Sequence, residues 1–174
     1  MHSNVRLVIL LFACCLLRPA IAADGFIADE SAVQAAFLYN FALYTEWPDL
    51  PADKFRICVL GSEPVLAALE PVKKKQLKDL PISVTNISSA SQVRSCQVLF
   101  IGRSGHASIG KLARQIGNAP VLVVSEENDY DPKNVIISLV VQQGRIAFKI
   151  NRTAAQENSL IVSSKLLKLA LQIY

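Results

Sequence analysis

The segment "GHASIGKL", residues 105–112, sets glycines at 105 and 110 and a lysine at 111, the spacing of a phosphate-cradling loop between a strand and a helix. Such a loop holds phosphate oxygens on its backbone amides and needs a hydroxyl after the lysine to hold magnesium. Leu112 stands in that place, and no apolar strand ends in the acidic residue that would complete the metal site. An anion resting on the helix N-terminus beside Arg103 and Ser104 is the reduced form of the same chemistry.

Other reactive groupings are sparser still. Beyond the first 22 residues the chain has a single histidine, His106, and two cysteines far apart, Cys58 and Cys96, too few nitrogen and sulfur ligands for a tetrahedral metal. The acidic run "SEENDYD", Ser125 to Asp131, lacks the alternating ligands and turning glycine of a calcium loop and reads as a solvated loop after a strand. His106 is the only base that could activate a nucleophile, and no G-x-S-x-G elbow accompanies it. Nothing in the order of residues sets two carboxylates together. No enzyme activity, metal or cofactor is expected. Asn86 and Asn151 lie in N-x-S/T sequons, which matter only in a cell that glycosylates them.

The start of the chain places these residues in a compartment. Arg6, the eleven apolar residues Leu7 to Leu17 and the small residues of "RPAIAA" predict a cleavable signal peptide over residues 1–22, too short to span a bilayer. Its removal takes two of the 18 basic residues, Arg6 and Arg18, and none of the 14 acidic ones, so the net charge falls from +4 to +2. That is too mild for a nucleic-acid reader, and the cluster Lys73, Lys74, Lys75 and Lys78 reads as a solvated helix end. No second long apolar run follows, so residues 23–174 are expected to form one exported domain that does not span the membrane. In an oxidising compartment Cys58 and Cys96 suggest a disulfide, with two buried thiols as the alternative.

The elements that must position these residues alternate. Apolar runs at Phe55–Gly61, Pro81–Ile87, Cys96–Gly102 and Ala119–Ser125 predict strands, separated by helical stretches at 63–75 and 106–117 and a polar turn at 88–95. Residues 135–151 predict a hairpin turning at Gln142-Gln143-Gly144-Arg145, and 152–158 a short helix. Leu166, Leu167, Leu169, Ala170 and Ile173 give a last helix helical spacing over 163–174. At the other end, Asp29, Glu30 and Ser31 read as caps of a helix whose stripe is Val33, Ala36, Phe37, Asn40, Phe41 and Tyr44, ended by Trp47-Pro48. The fold class is α/β: a mostly parallel sheet with an antiparallel edge hairpin and helices on both faces.

The segments "AVQAAFLYNFALYTEWP", "RICVLG", "SCQVLFIG", "APVLVVSE" and "GRIAFKINRTAAQENSLIVSSKLLKLA", in that order, resemble the YfiR family of periplasmic bacterial proteins over about residues 31–170. The resemblance implies a soluble periplasmic repressor of an inner-membrane diguanylate cyclase, bound through the cyclase's periplasmic sensor region. It further implies sequestration by an outer-membrane OmpA-like lipoprotein, which frees the cyclase and raises cyclic di-GMP and biofilm formation. It implies the Cys58–Cys96 disulfide as a support of the fold. The chain departs from the family's pattern at "YDPKNVI", where relatives often carry a glycine-rich turn before the hairpin.

Repressors of this kind need a contact surface rather than a reactive centre. The hairpin end and the start of the last helix supply the candidate residues Asn151, Ile161, Ser163 and Lys165, with Ile161 alternating outward from Leu160 and Val162. The rival reading is a small-molecule binder that uses the crevice beyond the strand C-termini, around Gly61, Gly102 and Arg103. A homodimer is expected, with the apolar helix flank Phe37 to Trp47 as its face.

Overall fold

The computed structural model describes residues 24–126 and 132–174. The signal-peptide expectation and most of "SEENDYD" lie outside them. The described residues begin with α1 (Asp24–Leu43) and run on through β1 (Thr45–Glu46), β2 (Phe55–Leu60), α2 (Glu63–Ala68), β3 (Gln76–Leu77) and β4 (Leu80–Asn86). There follow β5 (Val98–Ile101), α3 (Ile109–Ile116), β6 (Leu122–Glu126), β7 (Ile137–Gln142) and β8 (Arg145–Ile150). The last elements are α4 (Arg152–Glu157), β9 (Ile161–Val162), α5 (Ser164–Leu167) and β10 (Gln172–Ile173).

Eight strands form one sheet in the order β10-β8-β7-β6-β5-β2-β4-β3, and β1 pairs with β9 in a separate two-stranded ribbon. The pairs from β4 through β7 are parallel, and β7–β8 and β3–β4 are antiparallel. The expected fold class holds. Alternation along the central strands explains its two layers. Phe55, Ile57 and Val59 of β2, Val98 and Phe100 of β5, and Leu122 and Val124 of β6 join Leu38, Phe41, Val65 and Leu69 in one core. Cys58, Leu99, Ile101 and Val123 join Ile109, Leu112 and Ile116 of α3 in a second core on the other face.

The disulfide forms between Cys58 of β2 and Cys96, with Cα atoms 5.8 Å apart and both residues buried. It closes a 38-residue loop that contains α2, β3 and β4. Buried thiols, the alternative, are thereby set aside.

The hairpin turns where its residues demand. Gln143 and Gly144 both have positive φ, 51° and 72°, the pair of signs that a two-residue hairpin turn requires. Other expectations need correction. Asp29–Ser31 lie within α1, not at its start, because the helix begins by Asp24. Its buried stripe is Ser31, Gln34, Ala35, Leu38, Phe41 and Ala42, whereas Val33, Ala36 and Asn40 face outward. The helix expected over 63–75 ends at Ala68 and resumes as a 3-10 turn over Glu70–Lys74, since Pro71 cannot donate within a helix. The last helix is one turn, α5. The chain then adds β10 beside β8, where Leu171 N–H donates to Phe148 O at 2.8 Å. The open edge of β8 offers backbone partners that a short helix could not match.

Candidate functional site

The C-terminal ends of the parallel strands β2, β5 and β6 meet beside α1. Gly61, Gly102 and Gly105 pack there backbone to backbone: a Cβ on Gly61 would lie 2.5 Å from Gly105 N, and one on Gly102 would lie 2.3 Å from Gly61 O. Only glycines permit this approach. Ser104 Oγ donates to Gly61 O at 2.9 Å and closes the contact further. Gly61 and Gly102 thus belong to a tight strand-end junction, and Arg103 is the member of the expected crevice that borders open space.

The polar hub of this end is Glu126, the last residue of β6. Its Oε2 accepts from the Arg103 backbone N–H at 3.0 Å and faces Arg103 Nε at 3.4 Å, and its Oε1 accepts from Gln34 Nε2 at 3.1 Å. The anionic partner of Arg103 is thus the protein's own carboxylate. Gln34 is buried and also donates to Glu30, so α1 is tied to the strand ends through one acid. Two expectations are corrected here: an apolar strand, β6, does end in an acid, and Glu126 belongs to that strand rather than to a solvated loop. An acid at the carboxyl end of a parallel strand was the available signal. His106 lies next to this hub, its Nε2 3.3 Å from Ser125 Oγ. Burial lowers its pKa from the ordinary 6.5, with Glu126 opposing and Arg103 adding to the shift. Gly110 and Lys111 sit inside α3, with Lys111 exposed.

Between α1 and the hairpin runs a groove. One cavity of about 280 Å³ is floored by Val33, Phe37, Val141 and Ile146, with Glu30 and Arg145 at its rim. A second of about 170 Å³ shares Glu30, Val141 and Ile146 with it and reaches Arg103 and Glu126. Among the described residues no three His, Cys, Asp or Glu side chains converge as metal ligands would.

The second candidate surface is the β1–β9 ribbon, where Glu46 pairs with Ile161 and Thr45 with Val162. Ile161 is 64% exposed. Asn151 is buried at the start of α4, where its Oδ1 accepts from Ala154 N–H at 2.8 Å, and Ser163 Oγ caps α5 through Leu166 N–H at 3.3 Å. Lys165 is exposed on α5. Two of the four candidate residues thus cap helices, and two present side chains to solvent.

The family model of YfiR/HmsC-like proteins matches residues 31–171. The chain belongs to that family. Its members are periplasmic regulatory proteins, and membership supports, at that coarse level, a regulator of cyclic di-GMP signalling. No curated protein matches the sequence. Among solved structures, the chain is similar to an ABC domain in complex with L-Trp from Streptococcus pneumonia, at 13% identity and a TM-score of 0.53. That likeness covers 80% of this chain and 60% of the other and shows the fold alone. A conserved domain protein from Vibrio cholerae O1 biovar El Tor aligns at 14% identity and a TM-score of 0.49, over 83% of this chain and 60% of that one. The chain spans 60% of the length of each of these two.

Proposed function

We propose that the chain is exported to the periplasm and represses an inner-membrane diguanylate cyclase by binding its periplasmic sensor region. In this reading an outer-membrane OmpA-like lipoprotein sequesters it and releases the cyclase, and the chain works as a homodimer. The family match over residues 31–171 carries the reading. Ile161 supports a contact surface: it is a large apolar side chain held out on a ribbon that leads directly into Ser163, the cap of α5. Repression is then a population shift, in which the repressor binds the inactive state of the cyclase more tightly than the active one. The test is a pull-down from detergent-solubilised membranes. The wild type is expected to recover an inner-membrane protein with a cyclase domain, and Ile161→Asp, folded by circular dichroism, to lose at least about thirty-fold in affinity, the scale of a central interface residue. Recovery of no such protein by folded wild type would defeat the reading.

A second reading, a small-molecule binding module, is favoured by the groove that reaches Arg103. It predicts that a ligand raises the melting temperature as its concentration rises, and that Val141→Trp, which fills the groove, removes the response.

A further inference from the structure

Among the described residues, the large hydrophobic side chains left exposed are unevenly placed. Leu169, Leu171, Ile173 and Tyr174 are 70%, 48%, 46% and 39% exposed and fall within the last six residues. Scattered singly, such residues need no explanation, but a run of them does. Their backbone is anchored. Leu171 N–H donates to Phe148 O at 2.8 Å, Tyr174 N–H to Ile150 O at 3.1 Å, and Arg152 N–H to Tyr174 O at 2.8 Å. The strip is therefore displayed on a fixed sheet edge, with Leu171 and Ile173 on one side of the strand by alternation.

The charged side chains of the segment from Asn158 to Tyr174 have one sign. Lys165, Lys168 and Arg152 are exposed, and Arg152 is bonded through its backbone to Tyr174. No Asp or Glu occurs from Asn158 to Tyr174. The opposite edge of the sheet differs: β3 buries Leu77 and is flanked by Lys75, Lys78 and Asp79, the mixed charge that blunts an edge against contacts. A two-fold contact between copies through β10 would bring its cations face to face. An apolar strip with a cationic rim instead complements a bilayer of anionic lipids. The branched side chains and the Tyr174 ring enter the acyl boundary while the ammonium and guanidinium groups meet headgroup phosphates.

We propose that the β10 edge, Leu169 to Tyr174 with Lys168 and Arg152, is a docking face for the surface of an anionic lipid bilayer. The contact is weak and reversible, since a few apolar side chains and cations do not anchor a protein permanently. It holds the chain at a membrane whether or not a cyclase is bound, so it does not rest on the repressor reading.

The test is flotation of the protein processed after Ala22 with protein-free vesicles. One set is phosphatidylcholine alone, and the other contains phosphatidylglycerol. Wild type is expected to float with the anionic set at low salt and to be released at high salt. Lys168→Gln with Arg152→Gln should weaken partitioning about 25-fold, from about five-fold per cation near an anionic surface. Leu169→Ser with Ile173→Ser should abolish it, with folding verified by circular dichroism. If the serine variant fails to fold, the charge variant, altered only at exposed positions, carries the test. The proposal is overturned if wild type floats with neither set or if the charge variant floats like wild type. It is equally overturned if wild type sediments as a dimer that the serine variant splits, which would make the strip a contact between copies.

Discussion

Thr45 is fully buried in β1, and its hydroxyl finds no partner among the described residues. A hydroxyl taken from water without a replacement bond is unfavourable, and valine has nearly the same shape. Thr45→Val is expected to raise stability by about 1 kcal/mol, seen as a higher urea midpoint at unchanged slope. Asn151 is the opposite case. Its side chain satisfies the first turn of α4 from a buried position, and Asn151→Ala should lower stability by about 1 kcal/mol or more by the same measurement. His106 contributes a pH dependence. Its folded pKa lies below the ordinary 6.5, so between the two values the unfolded chain binds more protons than the folded one. The contribution is full above 6.5 and is lost as pH falls through the lower, folded value. A melting-temperature series from neutral pH downward should decline more steeply in wild type than in His106→Gln; parallel curves would mean that the histidine titrates alike in both states. At this scale the caps were misjudged: Asp29–Ser31, expected as caps, lie inside α1, and Asn151 and Ser163, expected as contact residues, cap α4 and α5. Nor did the sequence show Glu126, whose partners Gln34 and Arg103 come from α1 and from the turn after β5.

Elements were legible in proportion to how local their causes are. The hairpin was readable because Gly144 follows Gln143 at the two positions that need positive φ. Helix α3 was readable because Ile109, Leu112 and Ile116 repeat at helical spacing among polar residues, and Gly117 closes it. Helix α1 was found, but its orientation only in part: Phe41 of the expected stripe is buried and Phe37 and Tyr44 pack against the core, while Val33, Ala36 and Asn40 face outward. It is apolar on several sides, so Phe37 and Tyr44 compete with Leu38 and Phe41 for the inward face, and only the packed sheet decides. Phe41 stands 5.0 Å, centroid to centroid, from Phe148 of β8 and is fully buried, so it joins α1 to the sheet. Phe41→Ala should cost about 3–5 kcal/mol, whereas Asn40→Ala, at an exposed position, should cost little. Equal losses in denaturant unfolding would contradict the observed stripe. Strands β1, β3, β9 and β10 are two residues each. Such strands carry no periodicity to read, and β10 exists because β8 offers it an edge.

Across the whole molecule, the order of strands and helices sufficed for the α/β class, because apolar runs bounded by Gly and Pro reflect burial on both sheet faces. Neither the sheet order nor the α1–hairpin groove could be read that way, since both depend on which distant elements meet. The disulfide has its largest effect at this scale. Cys58→Ser should lower stability by up to about 4 kcal/mol, the chain-entropy value for the 38-residue loop it closes, measured against wild type without reductant. No measurable change would mean that the unfolded chain already holds β2 near β5. Cys58 is 3% and Cys96 1% exposed, packed under α3 with Leu99 and Ile116. A dissolved thiol must strike a sulfur directly to cut the bond. In the native fold, then, reduction waits for the α3 layer to lift away, and its rate records how often that happens. Brief exposure to reductant should leave the bridge whole, and prolonged exposure should sever it, with the time constant of layer opening and independent of thiol concentration once attack outpaces reclosing.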